Sequence, residues 1–124
     1  MATRDPGKAL ALVRATCAAL PDVSEKVSHG APTFFVGKRS FLIFHDDHHG
    51  DGRLAVWCAA PAEARVSWIE ERPEIFFLPP YVAHLGWVGV KLDAGLPVAE
   101  VRAVLALAHA TVAAKQPAKR RRPA

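Results

Sequence analysis

Residues 76–92 read Phe-Phe-Leu-Pro-Pro-Tyr-Val-Ala-His-Leu-Gly-Trp-Val-Gly-Val-Lys-Leu, and no other stretch limits the fold as much. Two apolar runs of strand length flank a Pro79-Pro80-Tyr81 corner. Each proline fixes its own φ, donates no backbone hydrogen bond and pushes the residue before it into the extended region. A helix therefore cannot run through the corner, and the flanking segments are read as two strands. Gly86 lets the chain turn back into the second strand. Tyr81 and Trp87 lie close together around the rigid bend and can wall a shallow pocket. The competing reading makes both rings core aromatics with a satisfied polar tip.

The remaining pattern is α+β. Asp5-Pro6 forms a helix start, with an N-cap acid and proline at the first helical position. Leu10, Val13, Cys17 and Leu20 follow on one helical stripe, which Pro21 ends. Residues 23–32 are polar and rich in turn residues, and read as extended and irregular. Thr33–Val36 and Ser40–Phe44 are strands around a Gly37-Lys38-Arg39 hairpin turn. Arg53–Cys58 is a third strand, with Leu54, Val56 and Cys58 on one face and Arg53, Ala55 and Trp57 on the other. Pro61 opens a short helix to about Glu71, closed by Arg72-Pro73. Pro97 starts the last helix, in which Val98, Val101, Leu105, Ala108 and Val112 recur at helical spacing. The order α-β-β-β-α-β-β-α predicts an antiparallel sheet with helices on one face.

With 124 residues, 51% of them apolar, the chain suits one domain, expected over residues 1–115. Its net charge of +4 is concentrated at one end. Lys115, Lys119, Arg120, Arg121 and Arg122 fall in the last ten residues, and taking those five from the 16 leaves 11 basic against 12 acidic side chains. Residues 116–124 read as a disordered basic tail on a near-neutral domain. No apolar run is long enough to span a membrane, and the N-terminus lacks the layout of a signal peptide, so the expected compartment is the cytoplasm. Cys17 and Cys58 are isolated and outside any CxxC, which suits buried thiols in a reducing environment.

Several short motifs occur in order between the first helix and the last. They are Pro21-Asp22-Val23-Ser24-Glu25, Ser28-His29-Gly30-Ala31-Pro32-Thr33-Phe34, Gly37-Lys38, Pro79-Pro80-Tyr81-Val82, and Gly86-Trp87-Val88-Gly89-Val90 with Leu92-Asp93. In these residues the chain resembles the MmcQ/YjbR family of small bacterial proteins. The resemblance implies an α-β(3)-α-β(2)-α fold like that of type III secretion chaperones, and a double-wing mode of DNA binding. It implies no catalytic residues.

On that reading Lys38, Arg39 and Arg53, on or beside hairpin turns, contact DNA phosphates, joined by Lys119, Arg120, Arg121 and Arg122 of the tail. Hairpin-end cations are also, and on general grounds more often, ordinary solubility residues. The alternative function is a non-enzymatic module that binds a peptide or small molecule in a pocket formed by His29, Lys38, Trp57, Tyr81 and Trp87. His29 and Lys38 flank the first strand, and Tyr81 and Trp87 the last corner, so adjacency in the sheet is expected to gather them around one depression. The loop His45-Asp46-Asp47-His48-His49-Gly50-Asp51-Gly52 carries potential metal ligands, but adjacent ligands without defined spacing fit a solvated turn better. No Ser-His-Asp, Cys-His or HExxH arrangement is present. Neither an enzyme nor a cofactor is expected.

Overall fold

A computed structural model of the protein describes residues 4–115. Helix α1 spans Pro6–Ala18, and the Asp5 carboxylate accepts a hydrogen bond from the Lys8 backbone N–H at 3.1 Å, so the predicted cap forms. Four strands follow: β1 (Val23–Ser28), β2 (Ala31–Val36), β3 (Arg39–Asp46) and β4 (Leu54–Ala59). Then come α2 (Ala62–Glu71), the two-residue β5 (Phe76–Phe77), β6 (Trp87–Lys91) and α3 (Val98–Ala113). The strands form one antiparallel sheet in the order β1-β2-β3-β4-β6-β5, with the helices on one face.

The polar segment before residue 33 corrects the expectation of an irregular stretch. Val23–Ser28 pairs along its whole length with Ala31–Val36, adding a fourth strand before α2. His29 and Gly30 both have positive φ, 53° and 79°, as a tight two-residue hairpin turn requires. Because β1 is an edge strand, its pairing rests on backbone hydrogen bonds to one neighbour and needs no continuous apolar face.

Register defines the two faces, since residues directly opposite in antiparallel strands point the same way. Phe34, Leu42, Cys58 and Val88 form one cross-strand row, and Phe44, Val56 and Val90 the next. All are buried and face the helices. One irregularity enlarges this core. Phe34 pairs with Leu42 but Phe35 pairs with Ser40, which leaves Phe41 as an unpaired extra residue in β3. Phe41 and Leu42 are thus both fully buried, although strict alternation would separate them. The Phe41 ring meets the edge of His109 on α3, with centroids 5.4 Å apart. His109 Nε2 lies 2.8 Å from the Pro21 carbonyl oxygen and ties α3 to the turn after α1.

The opposite face is covered by side chains and loops. All six residues of β4 are buried, so this strand has a core on both sides. Over its second side His45 packs on Trp57, with centroids 3.9 Å apart, and His48 of the following 3-10 turn lies 4.7 Å from the same indole. Further along, Phe77 packs against Gly89, a close approach that only a residue without Cβ allows, and the Arg53 guanidinium lies over that ring at 4.0 Å. No helix among the described residues is long and apolar enough to cross a membrane.

Candidate functional site

The residues expected around one depression are divided between two. His29 sits at one end of β2 and Lys38 at the other, about 17 Å apart along the strand. Gly37, with φ of 60°, makes the tight β2–β3 turn that projects Lys38 and Arg39. These two cations, with Lys115 just past the end of α3, surround a hollow of about 380 Å³. Phe35, Leu85, Trp87 and Val112 supply its apolar wall, and among the described residues no acidic side chain lines it. Lys38, Arg39 and Lys115 are exposed, and none forms an ion pair among the described residues.

At the other end, a second hollow of about 380 Å³ lies between α1, the β1–β2 turn and the end of β3, lined by His29, Pro32, Phe44, His45, Asp46 and His48. The imidazoles form a stack: His45 and His48 centroids are 4.6 Å apart, and His48 and His49 are 4.1 Å apart. Burial, reinforced by the neighbouring His48, lowers the pKa of His45 to about 4. Burial, then His49, lowers that of His48. His45 Nε2 is buried without a hydrogen-bond partner among the described residues. Asp46 is taken up by an ion pair with Arg4. Among the described residues no group of three or more His, Cys, Asp or Glu side chains is arranged to hold a metal.

The aromatic pocket does not form as expected. Trp57 is 3% exposed and Trp87 5%; Trp87 lines the cationic hollow, and Trp57 lines neither of the two hollows described above. Tyr81 is 71% exposed, with its ring 6.0 Å from His48. Its backbone explains the difference. The Val82 N–H donates to the Pro80 carbonyl at 2.7 Å, closing a three-residue turn around Tyr81 at φ 67°. That left-handed conformation costs a bulky residue about 1–2 kcal/mol and turns the ring outward. Arg65 Nη1 donates to the Ala83 carbonyl at 3.0 Å and fastens the corner to α2.

Of the predicted phosphate contacts, Lys38 and Arg39 are adjacent and free to act together. Arg53 is at the far end of β3, with its guanidinium on Phe77, and does not join them. Lys119, Arg120, Arg121 and Arg122 lie outside the described residues. Lys115 is the contributor that sequence reasoning left off the site. Its one signal is its position at the end of a helical pattern, where the basic run begins.

Taken together, these features define a small α+β domain built on a six-stranded antiparallel sheet, with a cationic hollow at one end. A family model described as YjbR matches residues 18–111, most of the chain, and the protein belongs to that family. Among solved structures, the crystal structure of the Deinococcus radiodurans protein DR2400, described as a DUF419 domain, is similar in fold. Its TM-score is 0.68 at 18% sequence identity, over 83% of this chain and 77% of that one. A comparison with curated proteins found no match.

Proposed function

We propose that this protein binds nucleic acid, with the β2–β3 turn and the end of α3 holding phosphates between them. The observation that carries this reading is the convergence of Lys38, Arg39 and Lys115 on one hollow that no acid among the described residues lines. Residues 1–114 are close to neutral, so cations placed together without local ion pairs mark a site rather than a general surface charge. The sequence adds Lys119, Arg120, Arg121 and Arg122 within seven residues of Lys115, enough to extend a phosphate track from the same end. DNA is the partner favoured by the family resemblance.

Salt titration of binding tests the proposal. Each phosphate contact contributes about 0.9 to the slope of log affinity against log salt on duplex DNA. Replacing Lys38, Arg39 and Lys115 together by alanine is expected to lower that slope by about 2 to 3, with affinity falling in parallel. Alanine at Lys119, Arg120, Arg121 and Arg122 separates the tail's share. If the tail variant loses all binding while the triple variant loses none, the hollow is not the site.

A further inference from the structure

The same hollow says what form of nucleic acid it takes. A surface that reads only phosphates needs cations at the correct spacing and nothing apolar between them. Here the three cations ring a concave floor of Phe35, Leu85 and Trp87, in a volume of about 380 Å³. That volume is within the range of small-molecule sites, and such sites combine an apolar lining with a few convergent polar groups. A duplex keeps its bases stacked inside and presents a convex, polar backbone, so it would bridge the rim and leave the floor empty. A single strand can turn a base into the floor while its flanking phosphates reach the rim. Sequence-tolerant single-strand sites combine a cationic groove with rings that accept base faces in this way.

The floor's chemistry fits that role. The Phe35 ring is only half-buried, and Lys26 Nζ is 5.7 Å from its centroid, placing a fourth cation beside the same ring. Leu85, 52% exposed, stands on the 3-10 turn that follows the Pro-Pro corner. Trp87 is nearly covered and serves as the base of the hollow rather than as a free platform.

Resting on the nucleic-acid reading above, we infer that the preferred partner is single-stranded, with one unstacked base against Phe35 and Leu85 and its neighbouring phosphates on Lys38, Arg39 and Lys115. Fluorescence anisotropy of the full chain, with labelled oligothymidine and with a labelled duplex of equal length, tests this. Stacking of one base is worth enough to favour the single strand by about tenfold. Phe35→Leu keeps an apolar side chain but removes the ring. It is expected to weaken oligothymidine binding severalfold while changing duplex binding by less than about twofold. Leu85→Ala, at an exposed position, provides the same comparison without risk to the core. Lys115→Glu is expected to weaken both ligands. Duplex bound as tightly as single strand, or Phe35→Leu and Leu85→Ala without effect on oligothymidine, overturns the inference and leaves the broader reading standing. Binding of neither ligand at low salt overturns both.

Discussion

Alanine at Gly89 is expected to destabilise the protein through a single side chain, and the cost can be traced to Phe77. An ideal Cβ at position 89 overlaps three atoms of the Phe77 ring, with Cδ2 at 2.7 Å. Carbon atoms pack comfortably at about 3.5–4.0 Å, so the ring would have to withdraw by about 1 Å. It cannot do so freely, since it is 8% exposed and the Arg53 guanidinium lies over the ring at 4.0 Å. Overpacking of this kind costs about 1–3 kcal/mol, and loosening the cation–π contact adds up to about 1. The backbone entropy lost from the unfolded state returns about 0.4–1, because the φ of Gly89 is outside the left-handed region. The net expectation for Gly89→Ala is a loss of about 2 kcal/mol. Phe77→Ala alone costs about 3 as a buried aromatic truncation. With the ring gone the overlap disappears, so Gly89→Ala/Phe77→Ala is expected to cost no more than Phe77→Ala, a coupling of about 2 kcal/mol. Urea unfolding followed by circular dichroism measures all four corners of the cycle. Costs that add within about 0.5 kcal/mol would refute the assigned contact.

Acid is expected to weaken the fold through the imidazole stack. The lowered pKa of His45, about 4 against an ordinary 6.5, means that the unfolded chain takes up a proton first. Stability is therefore full above about pH 6.5 and falls as the pH drops towards about 4, with His48 acting in the same direction. The urea midpoint of His45→Gln is expected to fall less than wild type between neutral and mildly acidic pH, and an equal fall would remove the assignment. Cys17 and Cys58 are buried, with thiol pKa values pushed up by burial to about 12, so a thiol reagent near neutral pH is expected to label neither until the protein unfolds. Rapid labelling of the native protein would contradict that burial.

The sequence revealed best those elements whose residues face a core in a regular period. The alternation in β4 places Leu54, Val56 and Cys58 on one face as read, whereas Ala62–Glu71, which buries no residue fully, was legible from the prolines that bound it. Edge strand β1 was hidden because Ser24, Glu25, Lys26 and Ser28 leave no apolar period to find. Phe41 was hidden for the opposite reason: a bulge adds one residue to the period of two, so the burial of both Phe41 and Leu42 follows from pairing rather than from pattern. At the site, the turn composition correctly placed Lys38 and Arg39 at a hairpin end. The companionship of Lys115 was not legible, because it depends on where α3 ends over the sheet. Gathering His29 with Lys38 failed on length alone, since a six-residue strand holds its two ends apart. Tyr81 and Trp87 parted because a left-handed turn at Tyr81 sends one ring outward, while the register of β6 with β4 sends the other inward.

The strand order has a consequence for how the chain is made. β1 to β4 are consecutive neighbours and can zip together as they are synthesised, yet β4 receives its second partner only from β6. Between Ala59 and Trp87 the ribosome must first produce all of α2 and β5. At about 5–20 residues per second this leaves the outer edge of Leu54–Ala59 without its native neighbour for roughly one to six seconds. All six of those residues are buried in the finished protein, so the most apolar edge of the sheet is also the one that waits longest to be closed.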